Sequence, residues 1–122
     1  MKIVLIISLI FGFLNAQQRE ALLIGNSNYR YILNLENSSY NLKRLKETLQ
    51  KLNFDVKIKT DLDSENLEET IDDFASRLSK NSNSIGFFYY TGHGCQVDYQ
   101  GYLIPINVDT CYYFSTLHFF LI

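Results

Sequence analysis

The chain has 122 residues, 47% of them hydrophobic and 20% charged, with a formal net charge of −2. That length supports one modest core and no second domain of comparable size. A near-neutral chain without a Lys/Arg run gives no electrostatic reason to expect nucleic acid as a partner.

In chain order, Met1-Lys2 is a minimal basic start and Ile3 to Leu14 is an apolar run holding one serine and one glycine. Ala16, a small residue, stands before the polar Gln17-Gln18. Basic start, short apolar stretch and small residue at the cut describe a secretory signal peptide over residues 1–16. The run is too short for a transmembrane helix, which takes roughly 20 apolar residues. The expected mature chain begins at Gln17 and is secreted or periplasmic; an uncleaved anchor is the alternative.

"EALLIG" (Glu20 to Gly25) reads as a buried strand ending at a glycine. The Asn- and Ser-rich stretch after it favours turns, because those side chains compete for backbone hydrogen bonds. In "YNLKRLKETLQKL" the leucines at 42, 45, 49 and 52 form one helical face, with Lys and Glu opposite. "FDVKIKT" alternates Phe54, Val56 and Ile58 with charged residues, as a half-exposed strand near a sheet edge would. A second helix follows "DLDS", where Asp63 or Ser64 can cap orphan N–H groups. Glu65, Glu68 and Glu69 suit the positive end of its dipole. Its inner face is Leu67, Ile71, Phe74 and Leu78.

"IGFFYYTG" (Ile85 to Gly92) is apolar on both faces, the pattern of a central parallel strand covered by helices on each side. Strand, helix, strand, helix, strand predicts an α/β fold, with right-handed crossovers placing helices on both sheet faces. "CQVDYQGYLIPIN" reads as a short hairpin turning at Gln100-Gly101, with Pro105 ending it. "TCYYFSTLHFFLI" has neither turn residues nor a clean period. A fourth strand, an aggregation-prone tail and sequence foreign to the domain are all open readings of residues 111–122.

Functional groups of open α/β sheets gather at the C-terminal ends of the strands. His93 falls there, between Gly92 and Gly94, which allow a sharp turn and the close approach of another backbone. The N–H of Gly94 can point at a developing negative charge, as an oxyanion hole requires. A lone histidine can equally be structural. Cys95 and Cys111 make no disulfide framework, and no second Cys or His stands at zinc-ligand spacing, so either thiol reads first as a small apolar residue. Asp61 and Asp63 lack the further acids and glycine of a calcium loop and read as turn and cap residues. His118 has no partner in sequence, and the tyrosines read as packing with a polar tip near the surface.

"ALLIGNSNYR", "FFYYTGHGCQVDYQGYLIPIN" and the two helices between them resemble the first half of a caspase-like domain (peptidase C14 family, caspase–hemoglobinase fold). More narrowly they are similar to the bacterial relatives of metacaspases. The resemblance runs from about Arg19 to Asp109. It implies a three-layer αβα sandwich with a mostly parallel sheet, and peptide-bond hydrolysis by a Cys–His dyad. It maps the dyad imidazole to His93 and an oxyanion-hole N–H to Gly94. It implies no metal or organic cofactor in the chemistry, although some metacaspases need calcium for activation, and it makes the partner a peptide or protein substrate.

Two departures from that pattern stand out. The family's nucleophile follows another crossover helix and ends the next parallel strand. Cys111, in "VDTC", imitates its context but comes only 18 residues after His93. The YLIP excursion uses most of that length, while a parallel crossover takes about a dozen residues or more of its own. Cys111 is therefore a weak candidate nucleophile, and Cys95 a weaker one. The resemblance then implies an incomplete domain, cut before its nucleophile and inactive by itself.

In "ENSSYN", Ser38 stands where many relatives carry an acid that helps select Arg or Lys, so Ser38 is a weak substrate-binding candidate. The simpler reading has Ser38 or Ser39 capping the helix. Beside the peptidase stand a non-catalytic module holding a peptide or protein, and a ligand-binding doubly wound domain. The last lacks the G-x-G-x-x-G turn. An incomplete sheet would also leave an unpaired edge inviting self-association.

Overall fold

The computed structural model describes residues 17–36 and 38–111, with only the backbone of Ser38. Residues 1–16, where a signal peptide is expected, Asn37, His118 and the tail beyond Cys111 lie outside the described residues. Three parallel strands, β1 (Gln18–Gly25), β2 (Asp55–Thr60) and β3 (Ser84–Thr91), form one sheet in the order β2-β1-β3. Helices α1 (Ser38–Lys51) and α2 (Ser64–Ser79) connect them, and a hairpin of β4 (Gly94–Val97) and β5 (Gln100–Leu103) follows.

The alternation of the strands explains the layers. Ala21 and Leu23 of β1 pack with Leu42 and Leu49 of α1, joined by Leu45, Phe54, Phe87 and Tyr89. Leu22 and Ile24 point the other way, onto Leu67, Ile71 and Phe74 of α2, with Leu78, Phe88 and Tyr90 at the margin. Successive side chains of one strand thus feed two cores, which requires a helix on each face. This is the expected αβα sandwich. Asp63 caps α2 by accepting from the Asn66 N–H at 2.9 Å.

Four local expectations change. The central and most buried strand is β1, whose residues 20–25 are all buried; β3 is half-buried and pairs only with β1 among the described residues. Its two-faced apolar pattern comes from the helices on both faces, and that pattern carries no information about which edge is open. Leu52 lies past the end of α1 and is largely exposed, because the helix stops at Lys51 and Asn53 turns the chain with φ 62°. The hairpin turns at Asp98-Tyr99, not Gln100-Gly101: both turn residues have positive φ (48° and 66°), as a two-residue hairpin turn of primed type demands. Finally, Ser38 and Ser39 are the first two residues of α1 and do not precede it, so neither stands at the cap position.

Among the described residues no helix is long and apolar enough to cross a membrane.

Candidate active site

The C-terminal ends of β1 and β3 are tied together by Asn26, a fully buried residue just past β1. Its N–H donates to Thr91 O at the end of β3 (2.9 Å). Its side-chain oxygen accepts from the Leu62 N–H (2.9 Å), and its amide group reaches Leu62 O and Ile104 O (3.3 and 3.5 Å). One buried amide therefore joins β1, β3, the lead into α2 and the segment after β5. Buried polar groups persist where they are so satisfied.

The loop from Ser27 to Glu36 is anchored as a strap over this rim. Asp61, held at φ 52°, accepts from the Ser27 and Asn28 N–H groups (2.9 and 3.0 Å) and from the Asn28 side chain (2.7 Å). Partial burial acts to raise the Asp61 carboxyl, but the donors from Asn28 and Ser27 outweigh it and hold the group below its usual range. The YLIPIN segment meets the strap from the other side. Arg30 N–H donates to Ile106 O (2.8 Å), and Ile106 N–H to Leu62 O (3.0 Å). Asn107 Oδ1 accepts from both the N–H and the hydroxyl of Ser64 (each 2.9 Å).

His93 sits under the strap, between β3 and β4. Its Nε2 lies 2.7 Å from Leu33 O. A carbonyl only accepts, so Nε2 carries the proton and the neutral ring presents Nδ1 as its base. The ring meets Tyr29 edge-on at 4.7 Å between centroids. His93 N–H donates to the Tyr29 hydroxyl (2.7 Å), while His93 O accepts from Ile104 N–H and from the Tyr90 hydroxyl (each 3.0 Å).

The two flanking glycines are required for room and not for backbone sign, since neither has positive φ. A Cβ on Gly92 would collide with the hydroxyls of Tyr90 and Tyr29, and one on Gly94 would sit 3.2 Å from Tyr102 O. Gly94 is the first residue of β4, opposite Leu103 and exposed.

The cysteines depart from the expectation of two separate thiols. Cys95 of β4 and Cys111 are joined in a disulfide, with Cα atoms 5.9 Å apart across 16 residues of sequence. The hairpin turns the chain back, so that separation in sequence becomes adjacency in space. In this state neither sulfur is a thiolate. Ser38 begins α1, whose N-terminus shares the strand-end rim with His93 by the βαβ topology. The site thus brings His93 and Gly94 together and leaves Cys111 bonded to Cys95. Sequence reasoning missed Asn26, Asp61 as the strap's anchor, Leu33 O and the two tyrosine hydroxyls. A polar residue directly after an apolar strand was the one available hint for Asn26. Among the described residues no cluster of three or more His, Cys, Asp or Glu could hold a metal ion.

Comparison with known proteins identifies the family. The caspase domain family matches residues 18–120, a span that includes most of the apolar tail. The chain is similar to human mucosa-associated lymphoid tissue lymphoma translocation protein 1, 31% identical over 97 residues, covering 80% of this chain and 12% of that protein. It is also similar to rat caspase-12, 30% identical over 76 residues, covering 62% of this chain and 18% of that protein. The chain therefore spans less than a fifth of the length of either relative.

Proposed function

The chain belongs to the caspase domain family, and from that premise we propose that it supplies the histidine half of a cysteine-endopeptidase centre. The observation that carries this reading is the 2.7 Å contact of His93 Nε2 with Leu33 O, which leaves Nδ1 as the working base at an open strand end. In the proposed chemistry Nδ1 takes the proton of a cysteine thiol, and the thiolate attacks a peptide carbonyl to form a C–S bond. The Gly94 N–H stabilises the resulting oxyanion. As the C–N bond breaks, Nδ1 returns the proton to the leaving amine, and water then hydrolyses the acyl-enzyme.

The thiolate is the open requirement. While Cys95 and Cys111 are joined, neither serves, so the oxidised chain is expected not to turn over substrate. The test is to assay the 122-residue chain against Arg-, Lys- and Asp-containing peptides, with and without a dithiol reductant. Activity under reduction that is lost in both His93→Ala and Cys111→Ala would assign Cys111 as the nucleophile. Activity insensitive to His93→Ala would refute the dyad. At Ser38 a hydroxyl stands without the charge that pairs with a basic side chain, so no preference for Arg or Lys is expected.

The same disulfide favours a second reading, a non-catalytic module that holds a peptide or protein partner. An electrophilic peptide probe separates the two, since a pure binder carries no activated thiolate to label. Because disulfides persist in oxidising compartments, the linkage supports export of the chain.

A further inference from the structure

Both main-chain polar groups of His93 end on tyrosine hydroxyls, and elementary donor–acceptor chemistry fixes the direction of each bond. The His93 N–H can only donate, so Tyr29 Oη accepts at 2.7 Å. Carbonyls only accept, so the Tyr90 hydroxyl donates, to His93 O or Ile104 O, each 3.0 Å away. That commits Tyr90's single proton, and the 3.2 Å contact between the hydroxyls must run from Tyr29 to Tyr90. The result is a closed ring: His93 N–H, Tyr29, Tyr90, His93 C=O.

Burial pushes the Tyr90 phenol well above its usual range, so its proton stays in place at neutral pH. The edge of the Tyr29 ring also stands against the imidazole, at an interplanar angle of 61°. A phenylalanine would fill the same volume and make none of the bonds.

We propose that Tyr29 is a positioning residue for His93, its hydroxyl fixing the histidine's main chain and its ring holding the imidazole with Nε2 on Leu33 O. It acts through His93 and touches no reacting atom. Its value for hydrolysis rests on the dyad reading above, whereas the positioning itself does not.

The test uses the 122-residue chain carrying His118→Gln, which leaves one histidine, and needs neither nucleophile nor substrate. The readouts are exchange of the His93 amide and the imidazole Nε2–H resonance by NMR, with the Leu23 amide in β1 as the control for folding. Tyr29→Phe is expected to speed His93 amide exchange about tenfold, the effect of losing one hydrogen bond, and to keep the Nε2–H resonance. Tyr29→Leu is expected to lose that resonance while Leu23 stays protected. The proposal fails if Tyr29→Phe leaves His93 exchange unchanged, or if Tyr29→Leu retains the resonance on a folded chain. Should Tyr29→Leu not fold, the phenylalanine variant decides. Peptidase activity insensitive to His93→Ala would remove the dyad reading and leave this outcome as it stands.

Discussion

Replacing Asn26 tests whether one buried amide holds the strand-end rim. In Asn26→Ala the Leu62 N–H loses its acceptor and Ile104 O loses the Asn26 amide, whereas Leu62 O keeps the Ile106 N–H. A single orphaned buried donor costs about 1–3 kcal/mol. The small void adds about 1 kcal/mol, for a total near 2–4 kcal/mol out of a typical ~5–15. With a urea slope of about 1–3 kcal/mol/M, the midpoint falls on the order of 1–2 M.

Asn26→Asp has the same shape and a different outcome. One carboxylate oxygen still accepts from Leu62 N–H, but the other replaces an N–H donor and faces two carbonyls, at a site with no solvent exposure. Its folded pKa is thereby raised above the unfolded value, so the destabilisation is full above the folded pKa and fades as pH falls toward the unfolded one. Asp61 and Asp63 have lowered values, below 3.8, and stay ionised between pH 7 and 5, so they do not mask the recovery. Urea unfolding of both variants at pH 7 and pH 5 reads the effect. An Asn26→Asp chain as stable as the parent at pH 7 would refute the assignment.

Asp61→Ala should destabilise by about 1–2 kcal/mol, as loss of a cap-like acceptor does. The contribution of Asp61 is complete above its ordinary value of 3.8 and is lost as pH falls through its lower folded value, so acid unfolding of Asp61→Asn should show a shallower limb there. Reduction of the Cys95–Cys111 linkage, or the double Ser replacement, should lower stability by about 2–3 kcal/mol for a loop of this length, read by thermal unfolding with and without dithiol. Gly92→Ala forces a methyl into the tyrosine hydroxyls and should speed His93 amide exchange without moving the Leu23 amide. The outer edge of β3 is unpaired among the described residues; we expect the chain to self-associate, and a monodisperse monomer in light scattering would count against it.

The elements of the fold were legible wherever periodicity reports burial. Leu42 and Leu49 mark one core, Leu67, Ile71 and Phe74 the other, and the alternating charges of β2 mark an edge. The order of strands was not, because "ALLIG" and "FFYY" are both apolar throughout and pattern alone does not tell which is flanked on both sides. The site was half legible. His93 and Gly94 announce themselves by residue type, but Leu33 contributes only a carbonyl, which every residue has. The union of Cys95 with Cys111 depended on a hairpin whose turn lies two residues before the Gln100-Gly101 position suggested by sequence. Asp98-Tyr99 gave little sign of it, since tyrosine is a poor advertisement for positive φ.

The bonds that fix His93 also impose an order on assembly. β1 meets β2 within the first sixty residues, but its pairing with β3 and the Asn26–Ile104 contact, 78 residues apart in sequence, must wait for much later chain. A chain emerging N-terminus first makes its short-range pairs early and its long loops last. The imidazole therefore gains its geometry only after the sheet and the YLIPIN segment exist. A nascent chain stalled before Ile104 would carry the histidine without its setting.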